Sequence, residues 1–106
     1  MKELKKEFIG IGEVRGFQFK QLHENGYAYV YEVYNPEAND RHYEVFERVE
    51  NTAFDCISYP KSKSFGVWAW CIHDYGKAML KYEEITKKYK NVWKINNNSY
   101  LCINIM

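Results

Sequence analysis

The sequence predicts an α+β fold: an antiparallel sheet of four to five strands packed by one long helix, with a C-terminal β-hairpin. Three observations carry this prediction. From Phe17 to Ile72 side chains alternate with a period of two, broken by clusters of Asn, Gly and Pro, the pattern of short strands joined by turns. After Asp74 the apolar period lengthens to that of a helix, and beyond Asn91 the period of two returns. The mainly hairpin-length connections argue against a parallel βαβ arrangement, which needs long crossovers.

Each element follows in order. Phe17 and Phe19 flank Gln18 in a first strand, and Glu24-Asn25-Gly26 ends it, Asn-Gly being the strongest short hairpin signal. Tyr27, Tyr29, Tyr31 and Val33 alternate with Ala28, Val30, Glu32 and Tyr34; a strand apolar on nearly both sides belongs in the middle of its sheet. Asn35 to Asp40 is a turn. A third strand puts Tyr43, Val45 and Val49 on one face, with His42, Glu44 and Arg48 on the other, Phe46 among them. Phe54 to Tyr59 reads as a fourth short strand and Phe65 to Ile72 as a fifth. In that fifth strand Trp68, Trp70 and Ile72 oppose the small Val67, Ala69 and Cys71, and the small face is expected to admit the helix. Asp74 is a good N-cap, and Ala78, Tyr82, Ile85 and Tyr89 form one helical face ending near Asn91. Glu83–Lys87 and Glu84–Lys88 have the favourable i,i+4 orientation. Val92 to Ile95 and Tyr100 to Ile105 then form the hairpin around Asn96 to Ser99.

The 106 residues make one domain, residues 1–106, with 1–12 as a loosely ordered arm. Aromatics reach 18%: 10 Tyr, 6 Phe and 3 Trp. At roughly 150–250 Å² buried per ring, a small core fills with few of them, so some tyrosines are expected on the surface. A net charge of +1 is far from the basic balance of a domain held to nucleic acid mainly by charge. No apolar run follows the charged Met1 to Glu7, so no targeting segment is expected, and no stretch approaches the ~18 apolar residues of a membrane span. Cys56, Cys71 and Cys102 are widely spaced amid apolar residues and read as buried free thiols of a reducing cytoplasm, not as a disulfide framework or zinc site. No metal and no cofactor is expected.

Candidate chemistry is sparse. Gly10-Ile11-Gly12-Glu13-Val14-Arg15-Gly16 lacks the spacing and the following helix of a phosphate loop; it reads as a flexible lead-in or bulge of the first strand. His73-Asp74 and Cys71-x-His73 could pair a base with an orienter or a thiol, yet an Asp that caps a helix already uses its oxygens on backbone N–H groups. His42, Glu44, Glu47, Arg48 and Glu50 read as a solvated sheet face. No residue is assigned a catalytic role. Tyr59-Pro60-Lys61-Ser62-Lys63-Ser64-Phe65 stands apart: Lys61 and Lys63 supply charge, Ser62 hydrogen bonds, and Tyr59 and Phe65 ring faces. With Arg48, these are the candidate binding residues, suited to a protein partner or to single-stranded nucleic acid.

The run from Tyr59 to Trp70, with Tyr43-Glu44-Val45-Phe46-Glu47-Arg48 upstream and Ala78 in the following helix, resembles small proteins of bacteriophages and mobile elements, often of gut bacteria. That resemblance implies an accessory protein in a bacterial cytoplasm acting on host or phage machinery. At the level of fold, several antiparallel strands followed by a helix look like the transcription-coactivator and purine-rich-element-binding modules that hold single-stranded DNA. This chain departs from them in its neutral charge, acidic third strand and C-terminal hairpin. The expectation is a non-catalytic protein that works by contact with a host or phage protein, with single-stranded nucleic acid as the alternative ligand and no membrane role. An edge strand or the terminal hairpin would also allow a homodimer.

Overall fold

The computed structural model describes the backbone of residues 1–97 and the side chains of residues 1–91. It is an α+β fold with seven strands among the described residues: β1 (Glu7–Ile9), β2 (Gln18–Glu24), β3 (Ala28–Asn35), β4 (Asp40–Glu47), β5 (Glu50–Asn51), β6 (Cys56–Ile57) and β7 (Ala69–Ile72), followed by α1 (Tyr75–Asn97). Five form one antiparallel sheet in the order β1-β2-β3-β4-β7, while β5 and β6 pair separately. As the sequence predicts, β3 is central and buried on both faces: Ala28, Tyr29, Val30 and Tyr31 are all 0% exposed.

Local chemistry fixes the turns. At the β2–β3 hairpin Gly26 adopts a φ of 88°, and the Asn25 side-chain oxygen accepts the N–H groups of Tyr27 and Ala28. At the β3–β4 turn Asn39 takes the left-handed conformation that Asn tolerates. Asp74 caps α1, its Oδ2 accepting the Lys77 N–H at 2.8 Å.

The sheet is covered on both sides. On one face Ala78 and Ile85 of the helix, with Met79, Tyr82 and Tyr89, pack onto Ala28, Val30 and Val45. The expected helical face is therefore the buried one. On the opposite face Phe19, Tyr29, Tyr31, Val33 and Phe46 are roofed by Leu4, Phe8, Tyr59 and Phe65. The roof includes part of the N-terminal segment expected to be loosely ordered. Phe8 of β1 stacks on Phe19 at 4.6 Å, the Lys2 N–H donates to the Asp55 carbonyl, and Glu3 bonds to Arg48.

Several details depart from the sequence reading. Phe54–Tyr59 is not a strand of the main sheet. The Asn51 side chain accepts the Phe54 N–H and Asp55 adopts positive φ, so the chain turns back at once and only Cys56–Ile57 pair, with β5. In β7 the small face does not admit the helix. Trp70 and Ile72 pack toward α1, whereas Ala69 joins the opposite core. Gly66 at φ 87° turns the chain immediately before β7, so Trp68 lies outside the strand and packs edge-on against Phe46 instead of sharing a face with Trp70. Of the expected ion pairs on α1 neither forms; Glu84 pairs with Lys81, and Lys88 reaches across to Glu47. The helix continues past Asn91 to Asn97, so the first arm of the expected hairpin, 92–95, is helical, and the rest of that hairpin lies outside the described residues. Cys71 is exposed and Cys56 half-buried, contrary to the reading of both as buried thiols. Cys102 lies outside the described residues.

Candidate functional site

The predicted contact segment divides once folded. The Tyr59 ring meets Phe8, Phe19, Tyr31 and Phe46 edge-on, and its hydroxyl donates to Glu44 Oε1 at 2.7 Å. Burial, and then the charge of Glu44, push that hydroxyl far above the ordinary phenol range. Beyond Pro60 the chain makes one short 3₁₀ turn, Ser62–Ser64. The Lys61 N–H donates to Ser64 Oγ at 3.1 Å, and the Ser64 N–H returns to the Lys61 carbonyl at 2.8 Å. Lys61, Ser62 and Lys63 are exposed on this turn, and Phe65 is half-buried beneath it. Arg48 lies elsewhere: its guanidinium clasps Glu3 through two hydrogen bonds and donates to the Tyr29 hydroxyl at 2.8 Å. These bonds hold Glu3 below the usual carboxylate range.

What the turn faces is the β1–β2 connection, which the sequence reading took for a flexible lead-in. It is a closed loop. The Gly10 N–H donates to the Phe17 carbonyl at 2.8 Å, the Gly16 N–H to the Gly10 carbonyl, and the Phe17 N–H to the Val14 carbonyl. A Cβ on Gly10 would lie 2.3 Å from the Val14 carbonyl oxygen and 2.9 Å from the Phe19 ring, so only glycine fits. Gly12 at φ 64° and Gly16 at φ 86° supply left-handed bends. This locked loop points apolar side chains at solvent, with Ile9 62%, Ile11 84% and Val14 38% exposed. Between it and the Pro60–Phe65 turn lies a cleft of about 540 Å³, walled by Phe8, Ile11, Val14, Pro60 and Phe65, with Glu44 among its lining residues. The structure thus brings Tyr59, Ser62 and Phe65 together with Ile9, Ile11 and Val14, which sequence reasoning missed. Their signal was present: Phe8, Ile9, Ile11 and Val14 form an apolar run too short and too glycine-rich to bury every member.

The polar strand face is not solvated as expected. Glu47 is buried, accepts a short hydrogen bond from the Tyr89 hydroxyl, and meets Lys88 at 3.4 Å. Glu44 is held between Tyr59 and His42, whose Nε2 lies 3.0 Å from Oε2. Cys71 sits opposite Glu44 across the β4–β7 ladder, and the His42 and His73 rings are 5.8 Å apart. This gathering of His, Glu and Cys invites a catalytic reading, but burial and the charges of Glu44 and Asp40 push the Cys71 thiol up, away from the reactive thiolate. Asp74 is engaged as the helix cap. Among the described residues no group of three or more His, Cys, Asp or Glu is placed to hold a metal ion, and no helix is long and apolar enough to cross a membrane.

Comparison with known proteins found no matching family model, no matching curated protein and no matching solved structure.

Proposed function

We propose that this chain is a non-catalytic binding protein that works by protein–protein contact through the cleft between the β1–β2 loop and the Pro60–Phe65 turn. One observation carries the reading: a loop closed by its own hydrogen bonds and by an obligatory glycine holds Ile11 and Val14, next to Ile9 at the end of β1, in water beside an apolar cleft. Exposed aliphatic side chains gathered on an ordered element mark interaction sites, because their hydration is relieved only when something covers them. The resemblance to phage and mobile-element proteins supports an accessory role, with a host or phage protein as the partner.

The single-stranded nucleic-acid alternative has less support. It draws on an exposed aromatic sheet face, whereas Tyr29, Tyr31 and Phe46 are buried. It also draws on clustered cations, whereas Arg48 is clasped by Glu3 and Lys20 stands beside Glu32 on the neighbouring strand.

Affinity capture from bacterial lysate tests the proposal. The wild-type chain should retain a specific protein that Ile11→Asp, and Lys61, Lys63 and Phe65 changed together to Ala, release. Retention unaffected by both variants would count against it. A gel shift with single-stranded DNA that weakens steeply with salt would favour the alternative.

A further inference from the structure

The geometry points to a particular occupant for this cleft: an acidic peptide segment of a protein partner that inserts a tryptophan or tyrosine. The inference rests on the protein-contact reading above and specifies the chemistry of what is bound.

The cleft has three zones. Its walls are apolar, from Phe8, Ile11, Val14 and Phe65. Its lining also includes Glu44, whose side chain is 12% exposed. Each Glu44 oxygen takes one hydrogen bond, Oε1 from Tyr59 and Oε2 from His42, and a carboxylate oxygen has a second lone pair. A purely aliphatic insert would strip water from that charge and return nothing. An aromatic body with an N–H or O–H at its tip satisfies walls and carboxylate together, which describes tryptophan and tyrosine, the usual anchors of protein interfaces. The volume of about 540 Å³ accommodates such a ring with a neighbouring side chain.

The rim sets the charge. Lys5 lines the cleft, and Lys61 and Lys63 stand exposed on the adjoining turn; none of the three is in an ion pair among the described residues. Glu13 is the single exposed acid on the opposite lip. Carboxylates flanking the anchor would meet these lysines. A second copy of this chain is a poorer occupant. Its exposed aromatics among the described residues are Tyr75, whose hydroxyl already bonds His23, and Phe54, which has no donor.

The test is selection of a random displayed-peptide library on the intact protein, followed by affinity measurements on the enriched peptides. Enriched peptides should share one Trp or Tyr and carry net negative charge. Ile11→Asp, at a side chain 84% exposed and so harmless to the fold, should weaken them by roughly tenfold or more. The Lys61→Glu, Lys63→Glu double variant should also weaken them, and added salt should lower affinity for the wild type. Replacing the anchor tryptophan by naphthylalanine, which removes the N–H, should cost roughly tenfold. Peptides that need Ile11 but are basic, or lack an aromatic donor, would overturn the inference and leave protein contact through the cleft standing. Binding indifferent to Ile11→Asp would remove both. Failure to enrich any peptide, displacement of the peptides by single-stranded DNA, or a dimer in sedimentation that Ile11→Asp dissociates would each overturn the inference as well.

Discussion

Replacing Gly10 by alanine tests whether the β1–β2 loop is as rigid as its hydrogen bonds imply. The added methyl would lie 2.3 Å from the Val14 carbonyl oxygen and 2.9 Å from both the Phe19 ring and the Val14 side chain. The carbonyl and the ring cannot yield cheaply. The Phe19 ring is stacked on Phe8 at 4.6 Å with 6° between planes, and the Val14 carbonyl accepts the Phe17 N–H. Overpacking of a fixed site costs about 1–3 kcal/mol, and a clash with backbone as well as a ring belongs at the upper end. Gly12→Ala is the matched control. It has no neighbour within 4 Å, so its penalty is that of a left-handed residue alone, about 1 kcal/mol. Urea denaturation followed by tryptophan fluorescence reads both. With a slope of about 1–3 kcal/mol per molar, Gly10→Ala should lower the midpoint by about 1–2 M and Gly12→Ala by less than half of that. If Gly10→Ala melts within about 0.5 kcal/mol of the wild type, the loop is deformable and no longer supports a preformed cleft.

Three further outcomes follow from the polar contacts. Tyr89→Phe removes the hydroxyl that bonds buried Glu47 and should destabilise by about 1–3 kcal/mol, while Lys88→Ala, at an exposed side chain, should cost less than about 1 kcal/mol; equal effects in denaturation would contradict this assignment. Glu3 has a depressed folded-state pKa, chiefly through its hydrogen bond to Arg48, so its contribution is present at neutral pH and is lost as pH falls below the ordinary value near 4.5 through the lower folded one. Because Glu3 is half-exposed, that contribution is at most about 1 kcal/mol, and Glu3→Gln should flatten only this acid limb of the stability profile. Cys71 is exposed but its thiol is pushed up by burial and by Glu44 and Asp40, so iodoacetamide at pH 8 should modify it more slowly than free cysteine; a faster rate would reopen the nucleophile reading.

What could be read from the sequence was what repeats. The alternation of Tyr27 to Tyr34 gave β3 its central place, and the spacing of Ala78, Tyr82, Ile85 and Tyr89 picked out the buried helical face, because each pattern spans enough residues to be unambiguous. Short elements were missed or overextended for the same reason, β6 being the two-residue remnant of the strand expected over Phe54–Tyr59. Three residues of β1 and two each of β5 and β6 carry no period. The turn at Gly66 leaves Trp68 outside β7, and so Trp68 and Trp70 pack into opposite cores instead of sharing a strand face. Half of the candidate site was legible as the unusual composition of Tyr59–Phe65. The other half was not, because apolar residues between glycines look like a route into the core until the loop is seen to close on itself and leave them outside.

The tyrosines are the instructive case. Their number suggests a sticky surface, yet among the described residues Tyr75 is the one tyrosine in the set of large exposed hydrophobic side chains. Three of the buried or half-buried ones serve charged groups: Tyr59 donates to Glu44, Tyr89 to Glu47, and Tyr29 to Glu3 while accepting from Arg48. A small sheet flanked on both faces leaves little depth between core and rim, and side chains that begin on the core side end at the charged edge. Leucine there would strand the carboxylates, whereas tyrosine supplies both a packing ring and a donor. High tyrosine content is thus explained by the core of this fold and is not itself an argument for binding. That argument passes to Ile9, Ile11 and Val14, which no internal requirement of the fold explains and which a glycine-locked loop keeps in water beside the cleft.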